Sequence, residues 1–238
     1  GFDPAGFSKG GNATCPFCGT VADSDYVKAE GQAGRLSHQM MAIVCTRPGR
    51  QGKVYLSVEQ ALEATGGTPV IPPEEEIHKR IEALCRKSGL TVPGEPMPKQ
   101  GTPGFRVQPY GVRTWGDLFT PRQMLCLLTF AAAVREAYQT MVGQAGGTGG
   151  SPVNQGTGEP PVPPMDEERA KAVATYLGVL VNRVADKESV LARWDNTREN
   201  SQGTFGRQAL PMVWDFVEPN PVGDASGGAN GALDWIIG

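Results

Sequence analysis

The stretch T-P-R-Q-M-L-C-L-L-T-F-A-A-A-V-R-E-A-Y-Q-T-M-V, residues 120–142, decides the fold of this chain. Thr120 is a good helix N-cap, and Pro121 suits the first helical position. Apolar side chains then recur at helical spacing, at Leu127, Phe130, Val134, Tyr138 and Met141. The spacing predicts a long amphipathic helix.

A second long helix is expected to begin near Asp166, because M-D-E-E-R supplies the acidic residues that a helix N-terminus prefers. Its apolar side is predicted to carry Val173, Leu177, Leu180, Val184 and Leu191. The Gly- and Pro-rich residues 143–164 between the two helices are too poor in apolar residues to offset their ordering entropy, so they are predicted to form a flexible loop. This loop brings the chain back, and we expect the helices to pack antiparallel.

Shorter elements precede this pair. An apolar run at 40–45 and the stretch G-K-V-Y-L-S suit β-strands. Ser57 is placed to cap a short helix that Gly66 closes, and a second helix rich in Glu at its start ends before Gly89. The Pro- and Gly-rich residues 91–104 are predicted to form a linker that no regular element crosses.

The amino-acid composition limits the classes of protein to which this chain could belong. The chain has 238 residues, with 32 glycines and 20 prolines, which indicates long irregular connections. No run approaches the roughly 18 apolar residues of a membrane span, and no signal peptide opens the sequence, so no membrane partner and a cytoplasmic location are expected. The net charge of -3 argues against binding nucleic acid through the overall field, but it allows a local basic face. The start at Gly1 and the apolar ending D-W-I-I-G suggest an excerpt from a longer protein.

Cys15-Pro16-Phe17-Cys18-Gly19 is the most specific local motif. Two thiolates on one tight turn form half of a tetrahedral zinc shell, whereas a structural zinc site takes four ligands. Gly19 permits the turn and Pro16 stiffens it. The motif also fits a metal-free turn or a redox pair, although the βαβ context of a redox pair is missing. Cys15 and Cys18 are therefore candidates for a zinc half-site.

The remaining cysteines and histidines offer few further ligands. Cys45 and His38 are the candidates within reach of the knuckle, but neither belongs to a second C-x-x-C. Cys85 and Cys126 lie on apolar helix faces, where free cysteine packs as a small hydrophobe. His78 and His38 both have an ordinary surface interpretation.

No complete active site is present in the sequence. It contains no G-x-S-x-G and no G-x-x-x-x-G-K-[ST], and the glycines of G-Q-A-G-G-T-G-G follow a helix instead of a strand. Asn220-Pro221 resembles a methyltransferase N-P-P-Y tetrad in outline only and is interpreted as a turn.

Arginines occur close to aromatic residues in two segments. This combination supplies phosphate and base contacts in nucleic-acid-binding proteins. Equally, the arginines could pair with Asp117 or Asp215 and pin irregular segments. The DNA-contact candidates are Arg106, Arg113, Trp115, Arg122, Phe205 and Arg207.

Residues 105–138 and 170–221 resemble the central part of large bacterial and archaeal DNA adenine methylases that carry an internal zinc ribbon. The most specific motifs are W-G-D-L-F-T-P-R-Q and T-F-G-R-Q-A-L-P-M-V-W-D-F. N-A-T-C-P-F-C-G-T, residues 12–20, stands where that family has the second knuckle of its ribbon. The resemblance covers most of the chain and is weakest at 49–104 and 143–164.

The resemblance implies a parent protein that transfers a methyl group from S-adenosylmethionine to N6 of adenine in DNA. The cofactor-binding glycine motif would lie upstream and the catalytic D-P-P-Y downstream, so no catalytic or cofactor-binding residue is carried over to this chain. Cys15 and Cys18 correspond to two zinc ligands, and their partner knuckle would also lie upstream. This chain alone is expected to be inactive, with flanking methyltransferase segments as its partners.

The expected fold is therefore α+β, mainly α. A small β zinc-ribbon-like unit, the second half of a split ribbon, is predicted over 1–48. A short helical connector and Pro-rich linker occupy 49–104. A helical DNA-engagement or target-recognition region spans 105–238 and contains the long antiparallel helix pair and the flexible loop 143–164.

The expected role follows from what an adenine methylase must do, which is to extrude its target base and hold the distorted duplex. We expect this segment to bind double-stranded DNA or to recognise its target, in a restriction-modification or phage-defence setting. One alternative is a non-enzymatic zinc-ribbon interaction module of a DNA-processing or phage-defence complex. Another is a structural spacer between methyltransferase segments.

Overall fold

The computed structural model describes residues 8–9, 12–15, 18–47, 49, 51–69, 71–146, 165–223 and 227–237. The structure is α+β, with more helix than strand and with small antiparallel sheets, as expected. The chain divides into two compact units, each assembled from three stretches. Unit 1 comprises Gly1–Glu74, Pro93–Thr120 and Ser189–Val217, and unit 2 comprises Glu75–Val92, Pro121–Glu188 and Glu218–Gly238. The predicted connector 49–104 and the predicted helical region 105–238 therefore each contribute residues to both units.

Unit 1 contains all the described strands. A three-stranded antiparallel sheet has the order β1-β2-β3, and two hairpins pair β4 with β5 and β6 with β7. The strands are β1 Ser8–Lys9, β2 Asn12–Thr14, β3 Val21–Ala22, β4 Ile43–Thr46, β5 Lys53–Leu56, β6 Arg193–Asp195 and β7 Asn200–Gln202. The expected strands near 40–45 and in G-K-V-Y-L-S are present as β4 and β5. The hairpin of β6 and β7 was not predicted.

The helices of unit 1 are α1 Ser24–Gln32 and α2 Val58–Ala64. The predicted cap of α2 is confirmed, since Ser57 accepts from Gln60 N–H and the Gln60 side chain accepts from Ser57 N–H. Gly66 follows with a positive φ of 65°. Helix α1 was not predicted, although Asp23 caps it by accepting from two backbone N–H groups.

Irregular segments build the core of unit 1. Val107 and Leu118 are completely buried, and they cluster with Met97, Val190, Leu191, Leu210 and Val213. Residues 91–104 contain no helix or strand, as predicted. They nevertheless contribute Met97 to this core, and Met97 N–H donates to Arg113 O at 2.7 Å. Residues 93–104 are therefore a packed part of unit 1.

Unit 2 is helical. Its helices are α3 Glu74–Ser88, α4 Pro121–Gly146, α5 Glu167–Lys187 and α6 Ala229–Ile237, with the first residue of α3 in unit 1. Helices α4 and α5 pack together, and α6 packs on α5. Asp166 caps α5 by accepting from Arg169 N–H, as expected. No helix in the described part of the chain combines the length and apolar character of a membrane span.

The two long helices pack antiparallel, and their observed ends differ from the predicted ones. The side chains of Arg122 and Glu188 interact, so the start of α4 lies beside the end of α5 and the pair is antiparallel. Helix α4 continues through 143–146, which were predicted as loop, and the rest of that loop lies outside the described residues. The assignment of Leu191 to α5 was wrong, because α5 ends at Lys187 and Leu191 joins the unit 1 core.

Candidate nucleic-acid interface

The motif T-F-G-R-Q-A-L-P-M-V-W-D-F begins at Thr204, just after β7, and its first part belongs to a loop at 203–209. The loop is anchored at its start by a 2.6 Å hydrogen bond between the buried hydroxyls of Ser189 and Thr204. At its end, Leu210 N–H donates to Gly104 O at 2.7 Å, and Arg106 N–H donates to Leu210 O at 3.2 Å. Residues 205–208 between these anchors are exposed. The backbone therefore presents this short stretch to solvent from two fixed ends.

A cavity of about 190 Å³ lies between this loop and the β6–β7 hairpin. Its apolar lining comes from Leu191, Ala209, Pro211 and Val213, and its polar lining includes Arg193, Gln202, Thr204 and Arg207. Arg193 is paired with Gln202 in the antiparallel register, which brings both residues to the cavity. The cavity is thus lined by both apolar residues and two arginines.

Neither cavity arginine has an acidic partner among the residues that the structure describes. The carboxylate of Asp195, two residues from Arg193, is engaged by the hairpin itself. It accepts from Thr197 N–H at 2.9 Å and from Arg198 N–H at 3.1 Å. Both guanidinium groups consequently keep their donors available for an external anion.

Exposed aromatic side chains accompany these arginines in unit 1. Phe205 is 51% exposed and Trp214 is 45% exposed. The Trp214 ring packs edge to face against Tyr110, with the ring centroids 5.3 Å apart. Trp194 and Tyr55 form a second such pair, in which Trp194 Nε1–H donates to the Tyr55 hydroxyl at 3.3 Å. Rings held in this way offer flat surfaces on which unpaired bases stack.

Three of the predicted DNA-contact residues lie on the 105–118 segment of unit 1. Arg106 is exposed beside the loop anchor. The Arg113 guanidinium donates to Gln32 O at 2.8 Å, which ties α1 to this segment. Trp115 is half-buried against the core and packs edge to face on Phe105 at 6.2 Å. The Asp117 carboxylate accepts from Arg113 N–H at 2.7 Å, a backbone contact that pins the turn.

Arg122 belongs to unit 2 and has a carboxylate partner. Its Nε and one terminal nitrogen each donate to Glu218 at 2.8 Å, in a bidentate pair. Burial raises the pKa of the neighbouring Glu188 to about 8, and the Glu218 charge adds to this effect while Arg122 opposes it. Burial likewise raises the pKa of Cys126 to about 12, so this thiol stays neutral. The ion pair with Glu218 therefore gives Arg122 a structural role.

The structure brings Arg207 and Phe205 to one loop, and it adds Arg193 and Gln202, which sequence reasoning missed. The available signal was the polar cluster N-T-R-E, residues 196–199, between R-W-D and N-S-Q, since Asn and neighbouring polar residues favour a tight turn between paired strands. Without the register of that hairpin, the sequence does not reveal that Arg193 and Arg207 line one cavity.

The Cys15–Cys18 knuckle joins β2 to β3. Cys15 N–H donates to Thr20 O at 2.8 Å, and Gly19 N–H donates to Cys15 O at 2.9 Å. Gly19 has a φ of 74°, which explains the requirement for glycine. Pro16, predicted to stiffen the turn, lies outside the described residues, as does Phe17.

The pKa of Cys18 lies below the ordinary value of a cysteine thiol. The Cys18 thiol donates to the Thr20 hydroxyl at 3.2 Å, and hydrogen bonds with Thr20 and with the Cys15 thiol lower the pKa of Cys18. Metal binding and nucleophilic chemistry both require the thiolate. Within the described ranges, however, no three His, Cys, Asp or Glu side chains are grouped to hold a metal, so Cys45 and His38 do not complete the half-site there. The His38 ring packs edge to face on Phe216 at 5.1 Å.

Comparisons of the chain with protein-family models, with curated proteins and with solved structures found no match.

Proposed function

We propose that this chain is the DNA-engaging segment of an S-adenosylmethionine-dependent DNA adenine N6-methyltransferase of the cytoplasm. One observation carries the proposal. The loop that contains the methylase-like motif T-F-G-R-Q-A-L-P-M-V-W-D-F places Arg207 on the same cavity as Arg193, with no acidic partner for either among the described residues. Guanidinium groups with free donors are suited to phosphate oxygens, which dominate the affinity of proteins for DNA.

The proposed division of labour assigns the chemistry to other segments. The parent enzyme binds S-adenosylmethionine and carries its D-P-P-Y motif in flanking methyltransferase segments, while this chain holds the double-stranded DNA. A methylase that extrudes its target base needs such a holding surface, because the duplex must be kept distorted during the reaction. Methyl transfer by this chain alone would contradict this assignment.

The zinc half-site has a structural role in this proposal. Cys15 and Cys18 contribute two thiolates, and an upstream knuckle of the parent contributes the other two. The hydrogen bonds that lower the pKa of Cys18 are consistent with a thiolate ligand. No step of DNA binding depends on this zinc.

The test is equilibrium binding of the full chain to a mixed-sequence duplex, measured by fluorescence anisotropy over a salt series. The double variant Arg193→Ala/Arg207→Ala is compared with Arg86→Ala/Arg169→Ala, which removes the same charge from exposed sites on α3 and α5. We expect the first variant to bind at least tenfold more weakly. Its log–log salt slope should fall by about 2, because each phosphate contact contributes about 0.9. Equal affinities for wild type and both variants at matched salt would contradict the proposal.

The same experiment separates the alternatives. A structural spacer predicts that neither double variant changes DNA affinity. A zinc-ribbon interaction module predicts that the chain binds Zn²⁺ by itself and that the arginines have no effect on DNA binding. Titration of Zn²⁺ against wild type and Cys15→Ser/Cys18→Ser measures the first of these two properties.

A further inference from the structure

We propose that the cavity between the loop at 203–209 and the β6–β7 hairpin is a site for one phosphate dianion, which is either the terminal phosphate of a DNA strand or free inorganic phosphate. This inference rests on the proposed function, in which Arg193 and Arg207 contact phosphates within a duplex. It adds a preference for a phosphate that ends a strand, and it names a small anion that competes with DNA for the same arginines.

The cavity lining carries positive charge only. Its ten lining residues include Arg193 and Arg207 and no Asp or Glu. The Asp195 carboxylate of the same hairpin does not line the cavity, and it accepts from two backbone N–H groups of the hairpin and, at 3.5 Å, from the Gln202 amide. The two guanidinium charges are therefore not balanced within the cavity, and a dianion would balance them.

The loop adds backbone donors to the two side chains. The N–H groups of Gly206 and Arg207, which are consecutive cavity-lining residues, have no hydrogen-bond acceptor in the described part of the chain. Backbone bonding resumes at Leu210, whose N–H donates to Gly104 O at 2.7 Å. Successive backbone N–H groups without internal acceptors are the donors that anion-binding loops use. The loop thus has the donors of an oxyanion site.

The number of guanidinium groups favours a phosphate monoester over a phosphodiester. A monoester carries a charge of about −1.5 to −2 at pH 7 and has three acceptor oxygens. A phosphodiester within a strand carries about one negative charge. Guanidinium groups bind such oxygens in bidentate fashion, so Arg193 and Arg207 together match the charge and the acceptors of the monoester.

The size of the cavity limits its occupant. Its volume of about 190 Å³ corresponds to about six water molecules. Pockets for drug-sized ligands have volumes of about 300–1,000 Å³. The cavity is therefore too small for S-adenosylmethionine or a nucleotide, and it suits a phosphate group with a few water molecules.

The polar part of the lining is held in place before a ligand binds. The Thr204 hydroxyl is bonded to the Ser189 hydroxyl at 2.6 Å. Arg193 lies on β6 in register with Gln202 on β7, and both residues line the cavity. This preorganisation reduces the entropy that is lost when an anion binds.

Gly206 provides a way to block the cavity. It is exposed, and a Cβ atom added there would meet only Gly203 O, at 3.9 Å. The backbone of Gly206 does not have a positive φ, so a side chain is tolerated. A Gly206→Phe side chain can therefore occupy the cavity mouth. Gly94→Phe is a matched control, because Gly94 is exposed, has open space at its Cβ position and does not line the cavity.

The experiment uses the full chain and a short blunt duplex with an internal fluorescent label, prepared with 5′-hydroxyl or with 5′-phosphate ends. At matched salt we expect wild type and Gly94→Phe to bind the 5′-phosphate duplex about tenfold more tightly than the 5′-hydroxyl duplex. Gly206→Phe should lose this ratio of affinities. Circular dichroism and thermal unfolding check that each variant folds, and Gly206→Val serves as a smaller blocking residue.

A competition arm distinguishes the two sources of phosphate. Millimolar inorganic phosphate should displace the 5′-phosphate duplex from wild type more strongly than sodium chloride does at the same ionic strength, because chloride only screens the charges. Preference for the 5′-phosphate duplex supports the inference with a strand end as the source. Competition by inorganic phosphate without that preference supports it with the free ion as the source.

Two results would overturn the inference and leave the proposed function in place. The first is the absence of both effects in wild type, together with normal binding of the 5′-hydroxyl duplex. The second is that both effects persist undiminished in folded Gly206→Phe and Gly206→Val. Failure of wild type to bind either duplex would instead contradict the proposed function itself.

Discussion

The two units differ in whether their structure depends on residues close together in the sequence or far apart. Unit 2 is built from helices whose caps and apolar positions are local in sequence, such as Asp166 at the start of α5. Unit 1 has its core in irregular segments, where Leu118 packs in one cluster with Leu210 and Val213. Contacts of this second kind require the closure of a loop of about 90 residues before they stabilise anything. The helices of unit 2 can thus be predicted from the periodicity of apolar residues, whereas the core of unit 1 depends on tertiary contacts.

The units also differ in whether their arginines are paired with carboxylates. In unit 2, Arg122 forms a bidentate pair with Glu218, and the nearby Glu188 is buried. In unit 1, Arg193 and Arg207 line a cavity and have no acidic partner in the described structure. An arginine that is paired with a carboxylate stabilises the fold, whereas an arginine without an acidic partner keeps its donors available for a ligand. This difference is why the DNA-binding proposal concerns unit 1.

The largest expected effect tests whether the units are energetically separate. Leu118→Ala removes a fully buried side chain from the unit 1 core, and Leu128→Ala does the same in α4. Each truncation should cost about 2–5 kcal/mol of unfolding free energy. Native-state hydrogen exchange should show that Leu118→Ala lowers protection in unit 1 more than in α4, and that Leu128→Ala does the opposite. Equal loss of protection throughout in both variants would show one cooperative structure.

The second effect is a pH dependence that arises in unit 2. The pKa of Glu188 is about 8 in the folded chain, against about 4.3 in unfolded peptides. Between these values the folded state retains a proton that the unfolded state releases, so stability falls as pH rises from about 4.3 to about 8 and is then constant. Glu188→Gln cannot ionise and should remove this contribution.

Urea unfolding of wild type and Glu188→Gln from pH 5 to pH 9 measures this effect. We expect the variant to gain about 4 kcal/mol on wild type between pH 5 and pH 8, because each pH unit in this window is worth about 1.4 kcal/mol for one retained proton. Glu82→Gln, at an exposed site on α3, is the control. A difference between wild type and Glu188→Gln that does not change with pH would exclude the raised pKa.

The third effect compares one glycine in a helix of each unit. A Cβ atom at Gly31 in α1 would lie 2.5 Å from Tyr110 O, whereas one at Gly178 in α5 would meet nothing within 4 Å. Gly31→Ala should therefore destabilise the chain by about 1–3 kcal/mol. Gly178→Ala should stabilise it by about 0.5–1 kcal/mol, because alanine is the better helix former. A melting temperature that is unchanged or raised by Gly31→Ala would show that α1 does not contact Tyr110 at Gly31.

The parts of the fold that could be predicted from the sequence are those that depend on neighbouring residues. Ser57, Gly66 and Asp166 marked helix ends because caps act through neighbouring residues. Helix α1 was missed although Asp23 caps it, since its nine residues carry too few apolar positions to show a clear period. The packing of Met97 was not predictable from its Pro-rich surroundings, because its partners lie in other stretches of unit 1.

The candidate site was predictable only in part, for the same reason. Phe205 and Arg207 could be selected from their motif, and they lie on one exposed loop. The contribution of Arg193 depends on its register with Gln202, which no local pattern encodes. The pairing of Arg122 with Glu218, 96 residues away, was equally invisible. Local sequence therefore identified the loop, and tertiary structure was needed to identify the cavity.

The most direct test of the central claim is hydrogen–deuterium exchange of the full chain with and without a saturating DNA duplex. The account predicts that DNA slows the exchange of backbone amides in the loop at 203–209 and in the adjoining β6–β7 hairpin. Exchange along the exposed face of α5 should stay unchanged. Protection confined to the helices of unit 2, with none at 203–209, would contradict the claim that the unpaired arginines of unit 1 engage DNA.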